Sequence, residues 1–147
     1  MVRAAALHGP PLSTSANKEL LQRICAALAQ GDAAPLRAAM ADGFCWTVMG
    51  ATPWSGTYRG RDAVLRDLLA PLVAQFADTY TNAAHNFVAE GDQVVVECRG
   101  RVGTKAGGRY DNSYCWVCRF EDGKLVSLTE YLDTHLLETA LTPPVRA

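Results

Sequence analysis

The sequence predicts an α+β fold in which helices pack on one face of a curved antiparallel sheet, leaving a conical cavity where the two splay apart. Two observations lead there. Apolar residues recur at helical spacing through most of the first half of the chain and change to a period of two after Phe76. Alternating segments joined by short Gly-containing turns then follow one another, which makes neighbouring strands antiparallel.

In order along the chain, residues 1–16 are rich in Pro, Ser and Ala and read as a flexible tail. From Asn17, a predicted N-cap, Leu20, Leu21, Ile24, Ala27 and Leu28 form one stripe that stops at Gly31. Asp32 caps a second short helix, with Pro35 in its first turn and Leu36, Ala39 and Met40 facing inward, ended by Asp42-Gly43. Phe44 to Met49 reads as a strand, and Thr57-Tyr58 as a short extended piece after a loop. Gly60-Arg61-Asp62 opens a third helix with Val64, Leu65, Leu68, Leu69 and Leu72 on its buried side, which Pro71 kinks or ends. Strands are predicted at Tyr80 to Ala89, Gln93 to Val102, Tyr110 to Phe120 and Leu125 to Leu132. The folded domain is placed at residues 17–138, with 139–147 a C-terminal tail.

At 147 residues, 49% apolar and 20% charged, the chain suits one domain with one core. A formal charge of −1 with Lys and Arg scattered singly argues against nucleic acid. No apolar run approaches the ~20 residues of a membrane span. The leading apolar patch is too short for a secretory signal, and five cysteines without framework spacing suit a reducing compartment, so a cytoplasmic location is expected.

Strand alternation assigns faces. Val94, Val96, Cys98, Gly100 and Val102 share the inner row of one strand, Gly100 leaving room there or letting the strand bend. Tyr110, Asn112, Tyr114, Trp116 and Cys118 share the inner row of the next. In the last strand Val126, Leu128, Glu130 and Leu132 form the corresponding row, stranding one carboxylate among apolar neighbours. An apolar concavity with a few convergent polar groups is what a small-molecule pocket requires.

The segments LLQRICAALAQGD, SGTYRGRDAVL, AEGDQVVVE and FEDGKLVSLTEYLD, in this order, resemble the nuclear transport factor 2-like superfamily and its SnoaL-like branch, over Lys18 to Leu137. That branch includes ketosteroid isomerases, polyketide cyclases and limonene epoxide hydrolases, and the resemblance implies a cystatin-like α+β barrel. It also implies a homodimer formed through the outer sheet face. The isomerase catalytic positions fall on Ile24, on Thr47 or Val48, and on Trp116, so its phenol and two carboxyl groups are missing. The epoxide hydrolase positions fall on Cys98, Gly100, Trp46 and Val48, and only one aspartate has a counterpart, Glu130.

Glu130 is therefore the candidate catalytic residue, a carboxyl whose affinity for its proton is raised by an apolar cavity; the plain alternative is an ion-paired carboxylate at the sheet edge. Asn112 and Tyr114 are candidates to hold the polar end of a ligand, or they satisfy backbone groups. Trp46, Tyr58 and Trp116 enclose its apolar body, or are ordinary core. His85 is a candidate partner of Glu130 across the cavity, although AAHNFVA alternates poorly. Cys115 and Cys118 match C-x-x-C, but that spacing on a strand sends the sulfurs to opposite faces, and His8, His85 and His135 lack ligand spacing, so no metal is expected. The expectation is a cofactor-free domain for a small apolar or polycyclic molecule. It isomerises, cyclises or hydrates that molecule through Glu130, or binds and carries it without chemistry.

Overall fold

The computed structural model describes residues 13–145. The expected tail therefore lies largely outside the described residues, as does His8. Helix α1 spans Thr14–Leu28 and begins before Asn17, because Ser13 rather than Asn17 caps it: the Ser13 hydroxyl accepts from the Ala16 N–H at 3.1 Å. Asn17 lies one turn inside, on the buried face. Helix α2 spans Ala34–Ala39, with Asp32 accepting from the Ala34 N–H at 2.9 Å and Pro35 in the first turn.

Strand β1 spans Met40–Val48 and β2 Gly56–Arg59. Asp42-Gly43 thus belongs to β1 instead of ending α2; β1 is irregular between Met40 and Cys45, so that Met40 and Phe44 are both buried while Asp42 and Gly43 bend outward. The next helical run consists of α3 (Arg61–Ala63), a π-helical segment (Val64–Leu69) and α4 (Ala70–Val73). The Ala70 N–H reaches the Leu65 carbonyl, one residue further back than in an α-helix. A proline in a helix collides with the carbonyl four residues before it, here that of Asp67, and the widened turn ahead of Pro71 absorbs that conflict without breaking the run.

Strands β3 (Thr81–Glu90), β4 (Gln93–Arg101), β5 (Ser113–Glu121) and β6 (Lys124–Leu132) follow, then helix α5 (Thr134–Ala140). The sheet is curved and unclosed, in the order β2-β1-β6-β5-β4-β3. Every neighbouring pair is antiparallel except β1 and β6, which run parallel. Helix α1 packs across β3 and β4, and the α3 run against β1. The predicted inner rows of β4 and β5 are buried throughout, whereas β6 departs from simple alternation. An irregularity between Arg119 and Phe120 sets Phe120 opposite Leu125, so Leu125 and Leu128 face the core and Val126 does not.

Helix α5 is not apparent from periodicity, and it carries the packed chain past residue 138, with Leu137 and Leu141 buried. It is anchored at both ends. Asp133 caps it, accepting from the Leu136 N–H at 3.1 Å, and Gln75 ties down Thr142 by accepting from its N–H at 2.9 Å and donating to its carbonyl at 3.0 Å.

Gly100 decides how the inner face is filled. A Cβ there would lie 2.7 Å from the Tyr80 hydroxyl and 2.8 Å from its Cε2, so the missing side chain is the space that the Tyr80 ring occupies. Gly100→Ala is expected to destabilise the fold by about 1–3 kcal/mol in urea titration. A double-mutant cycle with Tyr80→Leu should return much of that loss as coupling, and strict additivity would show that the phenol is not the obstacle.

Candidate functional site

The paired registers of β1, β6, β5 and β4 bring the inner residues together. Glu130 stands opposite Trp116 across β5 and beside Val48 across β1; Trp46 stands beside Leu128. The Trp116 indole N–H donates to Glu130 Oε2 at 2.8 Å. Trp46 meets Trp116 edge to face with ring centroids 5.8 Å apart, and Tyr114 lies 5.8 Å from Trp116 on the other side. Glu130, 8% exposed, is thus held in an aromatic enclosure.

That enclosure governs its protonation. Loss of water disfavours the carboxylate and pushes Glu130 from its ordinary 4.5 up to about 7, while the Trp116 N–H opposes the rise by stabilising the anion. The Trp46 N–H pulls weakly in the same direction from outside hydrogen-bond geometry, so its Nε1 has no formal partner. Burial raises Tyr110 to about 12 and pushes Tyr80 and Tyr114 up as well, so these phenols stay protonated at neutral pH. Cys98 and Cys118 are likewise pushed up by burial and remain thiols. Glu130 is the group in this cluster whose charge changes near neutrality.

Two candidates from the sequence stand apart. His85 is the residue at which β3 bulges, since the register shifts between Ala84 and Asn86; this turns its ring to the outer surface, 3.6 Å from Glu97 and away from Glu130. Asn112 is fully buried, but none of its hydrogen-bonding capacity is spare. Its Nδ2 donates to the Tyr110 hydroxyl at 3.3 Å and to the Asp133 carbonyl at 3.1 Å, while Oδ1 accepts from the N–H groups of Ser113 at 2.8 Å and Asp133 at 3.1 Å. Its place is structural: it ties the start of β5 to the N-cap of α5.

Tyr58 is half-buried and donates to the Trp54 carbonyl at 2.9 Å. It lines a surface cleft of about 680 Å³ between β2 and the α3 run, with Arg59, Arg66 and Asp67. Arg66 there is engaged by Asp67 at 2.8 Å, and the buried carboxyl lies in the enclosure rather than in this cleft.

Tyr80 and Asn82 escape the sequence reading as site residues. Asn82 pairs with Gly100 across β3 and β4, is buried, and donates to the Tyr80 hydroxyl at 3.0 Å. Gly100 on an inner row was the available signal, because a gap in one strand needs a side chain from its neighbour to fill it.

Cys115 lies half-buried on the outer face and Cys118 is buried on the inner; all five cysteines are free. Among the described residues no group of three or more His, Cys, Asp or Glu side chains is placed to hold a metal ion. No helix among them is long and apolar enough to cross a membrane.

The SnoaL-like domain model matches residues 21–128. Among solved structures, an NTF2-like protein of unknown function from Burkholderia pseudomallei is 25% identical, with a TM-score of 0.74 over 89% of this chain and 99% of that one. A protein from Jannaschia assigned to the SnoaL-like polyketide cyclases is 19% identical, with a TM-score of 0.69 over 88% and 93%. TerC, co-crystallised with polyporic acid, is 22% identical, with a TM-score of 0.70 over 87% and 98%. No curated protein matches the sequence. The family match spans most of the chain and the architecture agrees with it throughout, so the chain belongs to the SnoaL-like domain family of NTF2-like proteins.

Proposed function

We propose that the aromatic enclosure around Glu130 binds a small apolar or polycyclic molecule and that Glu130 transfers a proton to and from it, in a cofactor-free isomerisation, cyclisation or hydration. The observation that carries this reading is a lone buried carboxyl, held by an indole N–H, that titrates near neutral pH. Trp46, Trp116 and Tyr114 contact the apolar body, while Tyr58 stands apart in the surface cleft. TerC's crystallisation with polyporic acid supports a small-molecule role by analogy of fold.

The second reading is a module that binds or carries the same ligand unchanged. It is favoured by the outward position of His85, which leaves Glu130 without a second titrating partner. Incubating wild type and Glu130→Gln with a panel of aromatic and terpenoid compounds, read by mass spectrometry, separates the two. A compound converted by the wild type, with turnover falling by about 10²–10⁴ in the variant, supports the enzyme. A compound retained unchanged by both sinks the acid–base role.

We further propose that the convex sheet face joins two copies of the chain. It presents small and apolar residues, among them Val95, Val117 and Thr129, half-buried, and Tyr131, exposed. Light scattering on the purified protein should give twice the chain mass, and Val117→Lys should restore the single-chain mass; a monomeric wild type would end this proposal.

The protonation of Glu130 also has a signature in stability. Its folded value of about 7 exceeds its ordinary 4.5, so between those pH values the folded protein keeps a proton that the unfolded chain has released. The contribution is complete below the unfolded value, falls as pH rises through the folded one, and amounts to about 3 kcal/mol. Glu130→Gln should be less pH-dependent than wild type across this window and more stable than it at pH about 8 in urea titration. Parallel profiles for the two proteins would place Glu130 at its ordinary acidity.

A further inference from the structure

We infer that the ligand carries a hydroxyl group and that Asn82, held by Tyr80 on the β3 side of the inner face, is the residue that recognises it. This rests on the small-molecule reading above. Asn82 is 2% exposed, and its Oδ1 has no hydrogen-bond partner, while its Nδ2 is committed to the Tyr80 hydroxyl at 3.0 Å. An amide oxygen left unpaired in a protein interior is costly, and native folds leave few of them without a reason.

The surroundings keep the amide in this orientation. Tyr80 fills the space above Gly100 and stacks on Phe76 with centroids 5.6 Å apart, and Phe76 stacks in turn on Tyr110 at 6.3 Å. The wedged phenol presents its oxygen to Nδ2, the Cys98 thiol meets the same amide, and Oδ1 is left unpaired. Tyr80 and Tyr110 also make polar contact with the Tyr114 phenol, so the phenols are occupied with one another. What remains unsatisfied is an acceptor, and an acceptor selects a donor.

The donor class follows from the walls. A ligand carbonyl or ether would set lone pair against lone pair at Oδ1. An ammonium would surrender its hydration to an uncharged amide among aromatic rings, at a cost no neighbour offsets. A neutral hydroxyl on an apolar frame, an aromatic or alicyclic alcohol, satisfies Oδ1 and leaves its remaining surface to Phe76 and Tyr114.

Equilibrium dialysis with 2-naphthol and naphthalene, equal in frame and different by one hydroxyl, tests this directly. Wild type is expected to hold 2-naphthol about tenfold or more tightly than naphthalene, because a site built to hydrogen-bond a hydroxyl rejects the analogue lacking it. Asn82→Leu should reduce the preference to about twofold or less, with naphthalene affinity retained as the check that the pocket is intact. Tyr80→Phe keeps the ring over Gly100 but frees the amide to rotate, and should cut the preference to about threefold. Equal binding of the two probes by wild type, or a preference that survives Asn82→Leu, overturns this inference while leaving the pocket reading in place. Binding of neither probe overturns both.

Discussion

The parallel pairing of β1 with β6 is the constraint on which the interior depends. It joins segments some eighty residues apart, Trp46 beside Leu128 and Val48 beside Glu130, and the Met49 N–H extends it by donating to the Glu130 carbonyl at 2.9 Å. A parallel partner cannot be reached by a tight turn, so the chain between must cross over. Without β1, β6 would be an edge strand and Glu130 would stand beside open solvent. The pairing converts an edge carboxylate into an interior one, and the rise in its affinity for a proton is the consequence. Fold and candidate chemistry are therefore one fact seen at two scales.

Two buried asparagines show how differently one side chain serves the same face. Asn112 makes four hydrogen bonds and ties β5 to the cap of α5, so it contributes rigidity and has nothing left for a ligand. Asn82 makes one, to a phenol that is itself wedged over a glycine, and keeps an unpaired oxygen. The contrast arises from position. Asn112 sits just before β5, where loop and strand backbone offer free N–H groups, whereas Asn82 sits within β3, where the backbone is already paired with β4. Within a regular ladder a polar side chain must find its partner in another side chain or in a ligand.

Much of this was legible from alternation alone. The inner rows Val94 to Val102 and Tyr110 to Cys118 follow from a period of two, and the placement of Glu130 opposite Trp116 needs only the short turn at Asp122-Gly123. The departures share one cause. His85 and Val126 lie at irregularities of the ladder, and one extra residue reverses the face of everything beyond it without altering composition. Asp42-Gly43 has the character of a turn and is instead a bend within β1, again at a register shift. The parallel pairing was illegible for another reason: local periodicity identifies a strand but is silent about a partner so far along the chain. Helix α5 was missed because it is short and presents few apolar residues, its placement resting on Asp133 and Gln75 instead.

The protonation states of the enclosure narrow which chemistry the proposed reaction can use. Phenols and thiols there hold their protons at neutral pH, so they can donate hydrogen bonds to developing negative charge but cannot accept a proton. A lone carboxyl that titrates near neutrality can take a proton from one atom of a bound molecule and return it to another. That cycle is complete in itself for an isomerisation, and for a cyclisation in which the carbon that loses the proton attacks a carbonyl whose oxygen gains it. Hydration is more demanding, because water must be activated while a second group protonates the leaving oxygen, and only a ligand-facing phenol such as Tyr114 could supply that second proton. With its pKa raised by burial, Tyr114 is a poor acid for the task, so among the proposed reactions the proton-returning ones fit this interior best.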